Sequence, residues 1–447
     1  VPLPDLAVTS LTLPDTPHPV DLLCRQGRIL EAVPHDPKAA YADARVIDGR
    51  GLTLLPGLTD AHAHLREPGQ EWKEDIASGL AAAAAGGFAN VMCMANTTPV
   101  NDTASITEHM TKRAAETWPG GPRLFPIGAL TRGLLGKELA PMAELAQAGC
   151  VAFSNDGRPV ADAELFRHAM EYASDLGLRV IDHCEEPTMA PGAGMNEGRV
   201  SSRLGLPGQP DVAEAIQVAR DVLLADYLRI PIHLAHVSCR RSVEIIERAK
   251  AKGVPVTAET CPHYLHFTEA EVEGYNTMAK VNPPLRTRDD VLALLQALRE
   301  GVIDILATDH APHAAHEKET PFGEAPCGIT GLETALSLSF VLTDKGMLDA
   351  SDIVRLFSTA PARIFGLPHN TFAPGDPADF VLFDPRQAWT VTPDSLFSKG
   401  KNTPCLGRTL TGRVMAHFIG GQPVFTRGEF APAATAAASR RIHGRNS

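Results

Sequence analysis

Short apolar runs alternate with stretches of helical periodicity through the middle of the chain. The runs lie at 54–59, 89–94, 123–128, 150–154, 179–182, 232–235, 254–258 and 303–308. Amphipathic or alanine-rich segments separate them at 77–85, 142–148, 162–176, 211–229, 241–252 and 289–299. A strand buried on both faces reads as a continuous apolar run, whereas a helix with one buried face repeats every three to four residues. Strands alternating with helices predict βα units and a parallel sheet. Eight such strands within about 300 residues predict an α/β fold, a closed (β/α)8 barrel of the TIM type.

Both chain ends read differently. Segments 21–33 and 44–51 are short alternating strands punctuated by Gly27 and Gly49, and 379–383, 389–391 and 415–419 repeat that style before Gly420-Gly421. Isolated hairpins are marginal in water, so the two β-rich ends should pair into one small β-sandwich. The expected division is a first sandwich part at 1–56, the barrel at 57–366, a second sandwich part at 367–429 and a disordered tail at 430–447. That tail carries Arg440, Arg441 and Arg445 but no apolar face.

Composition narrows the class. Of the 447 residues, 44% are hydrophobic and 21% charged, as in ordinary globular proteins. A net charge of -12 argues against a nucleic-acid surface. No stretch approaches the ~20 apolar residues needed to cross a bilayer. The opening Val1-Pro2-Leu3-Pro4-Asp5 has neither a basic nor an apolar leader region, so a cytoplasmic location is expected, without nucleic-acid or membrane partners. The eight cysteines include no CxxC pair and read as reduced, mostly buried thiols. Cys184 follows His183 directly, yet on a strand its side chain faces the other way.

The candidate chemistry lies at the ends of the predicted strands. His62 and His64 flank one alanine, and side chains so spaced share a face only on an extended strand. Asp156, His183, His236 and Asp309 follow at the ends of strands four, five, six and eight. Imidazoles with carboxylates form the ligand set of a divalent ion that keeps a position open for water. Two ions at about 3.5–4 Å need a bridging anion, and Asp156 is placed for it. Asp309 is suited to take a proton from the attacking water and return it to a leaving nitrogen. Arg66 shares the His62/His64 face if the extended backbone continues, and its guanidinium suits a carboxylate. A surface salt bridge to Glu67 is the plainer alternative. Residues 314–326 are polar, without periodicity, and form either a lid or ordinary surface loop.

The segment Pro56-Gly57-Leu58-Thr59-Asp60-Ala61-His62-Ala63-His64-Leu65-Arg66-Glu67-Pro68-Gly69 resembles the opening signature of dihydroorotases in the amidohydrolase superfamily. The likeness continues through Gly86-Gly87-Phe88, Met94-Ala95-Asn96-Thr97, Asn282-Pro283-Pro284-Leu285-Arg286, the block at 307–313, the block at 328–334 and the block at 398–404. It is similar to the long, type I bacterial branch, where an aspartate replaces the carboxylated lysine that bridges the metals in hydantoinases. Asp156 matches that aspartate. Two departures stand out: Asn155 where the family usually has Asp, and Ala95 where it usually has Pro. The resemblance implies two Zn2+ ions, with Mn2+ or Co2+ as substitutes. It also implies a pocket for a small-molecule substrate, carbamoyl aspartate or dihydroorotate, lined by His64, Arg66, Asn96, Asn282, His313, Cys327 and Gly328. The activity implied is reversible cyclisation of N-carbamoyl-L-aspartate in pyrimidine biosynthesis, with Asp309 as general acid and base. The readings left beside it are a hydantoinase or allantoinase, and an inactive scaffold for aspartate transcarbamoylase. A homodimer and association with that transcarbamoylase are open under the main reading too.

Overall fold

The computed structural model describes residues 3–430 except 15, 190, 191 and 193; apart from residue 430, the expected tail lies outside the described residues. Strands β1 Leu6–Leu13, β2 Thr16–Arg25, β3 Arg28–Pro34, β4 Arg45–Asp48 and β5 Thr53–Pro56 come first. The barrel strands follow: β6 Leu58–Ala63, β7 Phe88–Cys93, β8 Arg123–Ala129, β9 Ala152–Ser154, β10 Arg179–Asp182, β11 Ile232–Leu234, β12 Val256–Thr260 and β13 Ile305–Leu306. Four more complete the chain: β14 Phe380–Thr390, β15 Thr409–Ile419, β16 Gln422–Thr426 and β17 Glu429–Phe430.

β6 to β13 pair in chain order and in parallel, each with the next. The ring closes where Ala63 bridges His310, with His64 N–H donating to the His310 carbonyl at 2.8 Å. Asp60 reinforces the closure by accepting the backbone N–H of Thr308 at 2.9 Å. Ala61, Met92, Ile127, Ala152, Ile181, Ala235 and Ile305, one from nearly every strand, share a core cluster with Ala362, Phe365 and Leu367. The surrounding helices follow the predicted amphipathic segments closely. Helix Ala163–Asp175 starts where the Asp162 carboxylate accepts the N–H groups of Glu164 and Leu165, and it buries Phe166, Ala169, Met170 and Ala173 on one face. Its spacing of three and four residues is the signal the sequence displays.

The chain ends join in one nine-stranded sheet, ordered β17-β16-β15-β14-β5-β1-β2-β3 with β4 on β1. Its two halves meet at the single β1–β5 pair of Thr12 and Thr53. One apolar cluster spans both chain ends: Leu6, Val8, Leu22 and Leu54 pack with Phe380 and Phe418. The sheet also corrects the first predicted strand. The run at 54–59 is two strands, β5 in this sheet and β6 in the barrel, separated at Gly57. A Cβ on Gly57 would lie 2.8 Å from the Ala89 Cβ, so the crossing needs glycine. Both halves are buried on both faces, which is why hydrophobicity alone does not mark the break. Strand β1 and the helices Ala104–Thr117 and Ala335–Asp344 are absent from the predicted elements.

Candidate metal centre

Period-two alternation aims the ligands. Val180 packs outward and Ile181 inward, so His183, two residues beyond Ile181, continues into the barrel mouth while Cys184 turns away. The Cys184 thiol lies 3.8 Å from Asp221, whose carboxylate is already paired with Arg220 at 2.7 Å. His236 and Asp309 enter the mouth differently, through left-handed backbone with φ of 34° and 44°. Such conformations cost about 1–3 kcal/mol each and persist where the surroundings impose them.

All six predicted ligands meet. Asp156 Oδ1 lies 3.4 Å from His62 Nε2, 3.4 Å from His183 Nδ1 and 3.5 Å from His236 Nε2. Its other oxygen lies 3.5 Å from His64 Nε2. Asp309 Oδ1 is 3.1 Å from His64 Nε2 and 3.6 Å from His62 Nε2. Two ligand groups thus share Asp156, one with His62 and His64 and the other with His183 and His236. His62 Nε2 and Asp156 Oδ1 are buried and form no hydrogen bond. His183 Nδ1 and His236 Nε2 face each other at 2.8 Å. Burial works against charge on His62, yet Asp156 and Glu259 raise its imidazolium well above the ordinary histidine range. Burial would likewise raise Asp156, but His62, His183 and His236 hold it well below the usual carboxylate range. The field at the shared point calls for positive charge, so the donor set fits divalent ions.

Carboxylates that the sequence reading missed orient the imidazoles from behind. Glu259, at the end of the seventh barrel strand, accepts from His62 Nδ1 at 2.7 Å and meets His233 Nε2 at 3.1 Å. Glu185 contacts His183 Nε2 at 2.9 Å. Glu259 leaves His62 Nε2 without a partner, and Glu185 leaves His183 Nδ1 turned toward Asp156 and His236, the carboxylate–histidine arrangement that suits an ion. Spacing held the signal: Glu185 lies two residues past His183, and Glu259 stands at a strand end without another assigned group. Glu259→Gln should weaken one ion by about 10–100-fold. Competition with a chromophoric chelator measures this, and wild-type affinity would make Glu259 a mere core residue.

The residues expected to contact substrate gather around a cavity of about 240 Å³, lined by His64, Arg66, Asn96, Asn282, His313, Cys327 and Gly328 with Asp156, His183, His236 and Asp309. That volume suits a ligand smaller than a typical drug. Arg66 arrives by another route than expected. Extended backbone does not persist, because Arg66 has φ of 61°. Its guanidinium still reaches the cavity, donating from Nε to the Pro312 carbonyl at 3.3 Å. The alternative Arg66–Glu67 bridge is not formed: Glu67 pairs instead with Arg113 at 3.0 Å. Asn96 accepts from His64 Nδ1 at 2.9 Å and donates to Asp156 at 3.3 Å, so its amide serves the ligands. Asn282 is engaged by Glu185 at 2.7 Å and Gln209 at 3.1 Å. Burial, then the charges of Arg66, Lys318 and Lys73, push His313 down to about 2, so its ring is neutral. Its Nε2–H donates to the Cys327 carbonyl at 2.9 Å.

Of the two sequence departures, Asn155 has a local explanation and Ala95 has none. Asn155 donates to Thr131 Oγ1 at 2.7 Å and to the Arg158 carbonyl at 3.3 Å, tying down the turn after Asp156. An ionised aspartate has no donor for that carbonyl. Ala95 is buried, and its carbonyl accepts from Thr97 and Asn101, closing the turn that presents Asn96.

Comparison with known proteins adds the family. A family model described as dihydro-orotase-like matches residues 51–242. A dihydroorotase of Geotalea daltonii is 49% identical over 409 residues, covering 91% of this chain and 95% of the relative. That of Syntrophus aciditrophicus is 47% identical with the same coverage. Among solved structures, an L-hydantoinase (dihydropyrimidinase) from Arthrobacter aurescens superposes with a TM-score of 0.84 at 24% identity, covering 96% of this chain and 97% of its own. A dihydropyrimidinase from Brevibacillus agri superposes with a TM-score of 0.79 at 23% identity, covering 96% of each. At those identities the likeness speaks for the fold, a barrel with an added β domain. The hydantoinases share the scaffold, but the sequence similarity over nine-tenths of the length is to another group, and this metal-dependent cyclic amidohydrolase belongs to the dihydroorotase family.

Proposed function

We propose that the chain catalyses the reversible ring closure of N-carbamoyl-L-aspartate to L-dihydroorotate and water. The observation that carries this over a hydantoinase reading is Arg66. It is only 9% exposed, and among the described residues it has no carboxylate partner. A buried guanidinium without an anion is costly unless a ligand supplies one. Dihydroorotate carries an exocyclic carboxylate that fits it; hydantoin and dihydrouracil carry none.

His62, His64 and Asp156 would hold one ion and His183, His236 and Asp156 the other, with Asp309 reaching the first. We read the pair as zinc, with manganese or cobalt able to substitute on the same N/O donors. When bound, the ions polarise the ring carbonyl and lower the pKa of water. Arg66 orients the ring through its carboxylate, and neutral His313 offers an acceptor at Nδ1. Asp309 moves the proton. Burial alone would raise its carboxyl, but the contact with His64 and the charge of His62 keep it below the usual value, hence ionised near neutral pH. In ring opening it takes the proton of the attacking water and passes it to the leaving nitrogen; in closure the same atoms run in reverse.

The same reading keeps the domain division at 1–56, 57–366 and 367–429 and places the enzyme in the cytoplasm. Among the described residues no helix is long and apolar enough to cross a membrane. The reading leaves open a homodimer and a complex with aspartate transcarbamoylase, and light scattering with and without the transcarbamoylase decides both.

Arg66→Met should raise KM for dihydroorotate by about tenfold or more, since a charge-assisted pair contributes roughly 1.5–3 kcal/mol. Steady-state kinetics on dihydroorotate, hydantoin and dihydrouracil test the function itself. Faster opening of either unsubstituted ring by the wild type would replace this reading with the hydantoinase one.

A further inference from the structure

Two lysines beside the cavity are buried without any carboxylate. Lys318 is 2% exposed and Lys280 4% exposed, and neither joins an ion pair among the described residues. Their partners are main-chain carbonyls. Lys318 Nζ donates to Thr277 at 3.1 Å, Lys280 at 3.3 Å and Pro326 at 2.7 Å, which uses all three of its protons. Lys280 Nζ donates to Phe322 at 2.7 Å and Gly323 at 3.2 Å, and it lies 5.1 Å from the centre of the Phe322 ring. The pattern is reciprocal. Lys318 belongs to the polar segment 314–326 and bonds to the wall at 277–280, whereas Lys280 belongs to that wall and bonds back to the segment.

That segment is therefore not ordinary surface loop. It begins with the short helix Ala315–Lys318, and the carbonyl of Lys318 accepts from Thr277 Oγ1 at 2.5 Å. A further tie joins Lys73 to Glu317 at 3.0 Å. The wall it grips is the substrate cavity itself. Lys280 is followed by Val281 and Asn282, and its carbonyl accepts the N–H of Gly328 at 2.9 Å; all three residues line the cavity. Burial lowers the Lys318 ammonium to about 8, which leaves it mostly charged at neutral pH. Its charge is felt in the cavity, where it adds to burial and Arg66 in keeping His313 neutral.

We propose that Lys280 and Lys318 form a cationic latch that locks segment 314–326 against the cavity wall and thereby sets the affinity for an anionic substrate. They are positioning residues. They act on the ligand through Cys327, Gly328 and His313, and through positive charge that, among the described residues, is not held in an ion pair, although Glu317 lies near enough to offset part of it at Lys318. Ion pairing with a carboxylate would hold the segment as firmly but would cancel that charge. Carbonyl acceptors keep it available to the substrate anion.

The latch can be opened from either side, so Lys318→Met and Lys280→Met are made separately, and a folding defect in one leaves the other decisive. Hydrogen exchange of peptides within 314–326 is measured with metal content and steady-state kinetics on dihydroorotate. The effect on substrate rests on the dihydroorotase reading, but the exchange measurement does not. If the wild type failed to turn over dihydroorotate, that reading would fall while exchange still decided the latch. Each variant should exchange about tenfold or more faster in 314–326, the equivalent of one lost charged hydrogen bond. KM should rise about tenfold with kcat within roughly threefold, because binding rather than proton transfer is altered. Wild-type exchange in both variants would overturn the latch. A loss confined to kcat, with KM unmoved, would overturn its role in affinity.

Discussion

Asp309→Asn should lower turnover in both directions by about 10²–10⁴-fold, the usual loss when a proton-transfer group is removed. The amide keeps the shape of the carboxylate but cannot accept a proton from water. Asparagine is also the right replacement for the backbone. Asp309 sits at φ of 44°, a region that asparagine visits more readily than most residues. Alanine there would confound a chemical loss with a conformational one. Initial rates with dihydroorotate and with carbamoyl aspartate check the expectation, and metal content is measured on the same samples. A variant retaining more than roughly a tenth of the wild-type rate would take Asp309 out of the proton path, given the loss expected.

Asp156→Ala is expected to lose at least one ion per chain and, with it, nearly all activity. The reason is topological. One side chain serves both ligand groups, with Oδ1 facing His62, His183 and His236 and Oδ2 facing His64. Removing it would take away the one anion that both ligand groups share, and two ions placed there would repel each other at close range without it. Elemental analysis of the purified variant against wild type measures the stoichiometry directly. If both retained the same number of ions, the bridge would have to be another group.

Much of the site is legible in the sequence, for a specific reason. Barrel strands are consecutive in sequence and in space, so residues at successive strand ends converge without any need to know the long-range pairing. His62, His64, Asp156, His183 and His236 come together by that rule alone. The first strand shows where it fails. Apolar continuity across Gly57 hides a change of sheet, since both sides of the break are buried. Glu259 and Glu185 escape notice because an acidic residue two positions along a strand has many uses, and only the facing imidazole nitrogen singles these out.

Local pattern by itself determined the alternation of strands and helices, the barrel, the pairing of the two β-rich ends and the order of the candidate ligands. These follow from periodicity and chain order, which are properties of short stretches of sequence. Tertiary structure alone decided which groups stand behind the ligands, how Arg66 reaches the cavity and how 314–326 is held. Arg66 shows the physical difference most plainly. Strand periodicity aimed it correctly for the wrong reason, since its backbone leaves the extended region at φ of 61°. The Lys280–Lys318 latch shows it again. Hydrogen bonds to main-chain carbonyls have no side-chain signature in sequence, so a buried lysine there looks like a solvated one until the chain has folded around it.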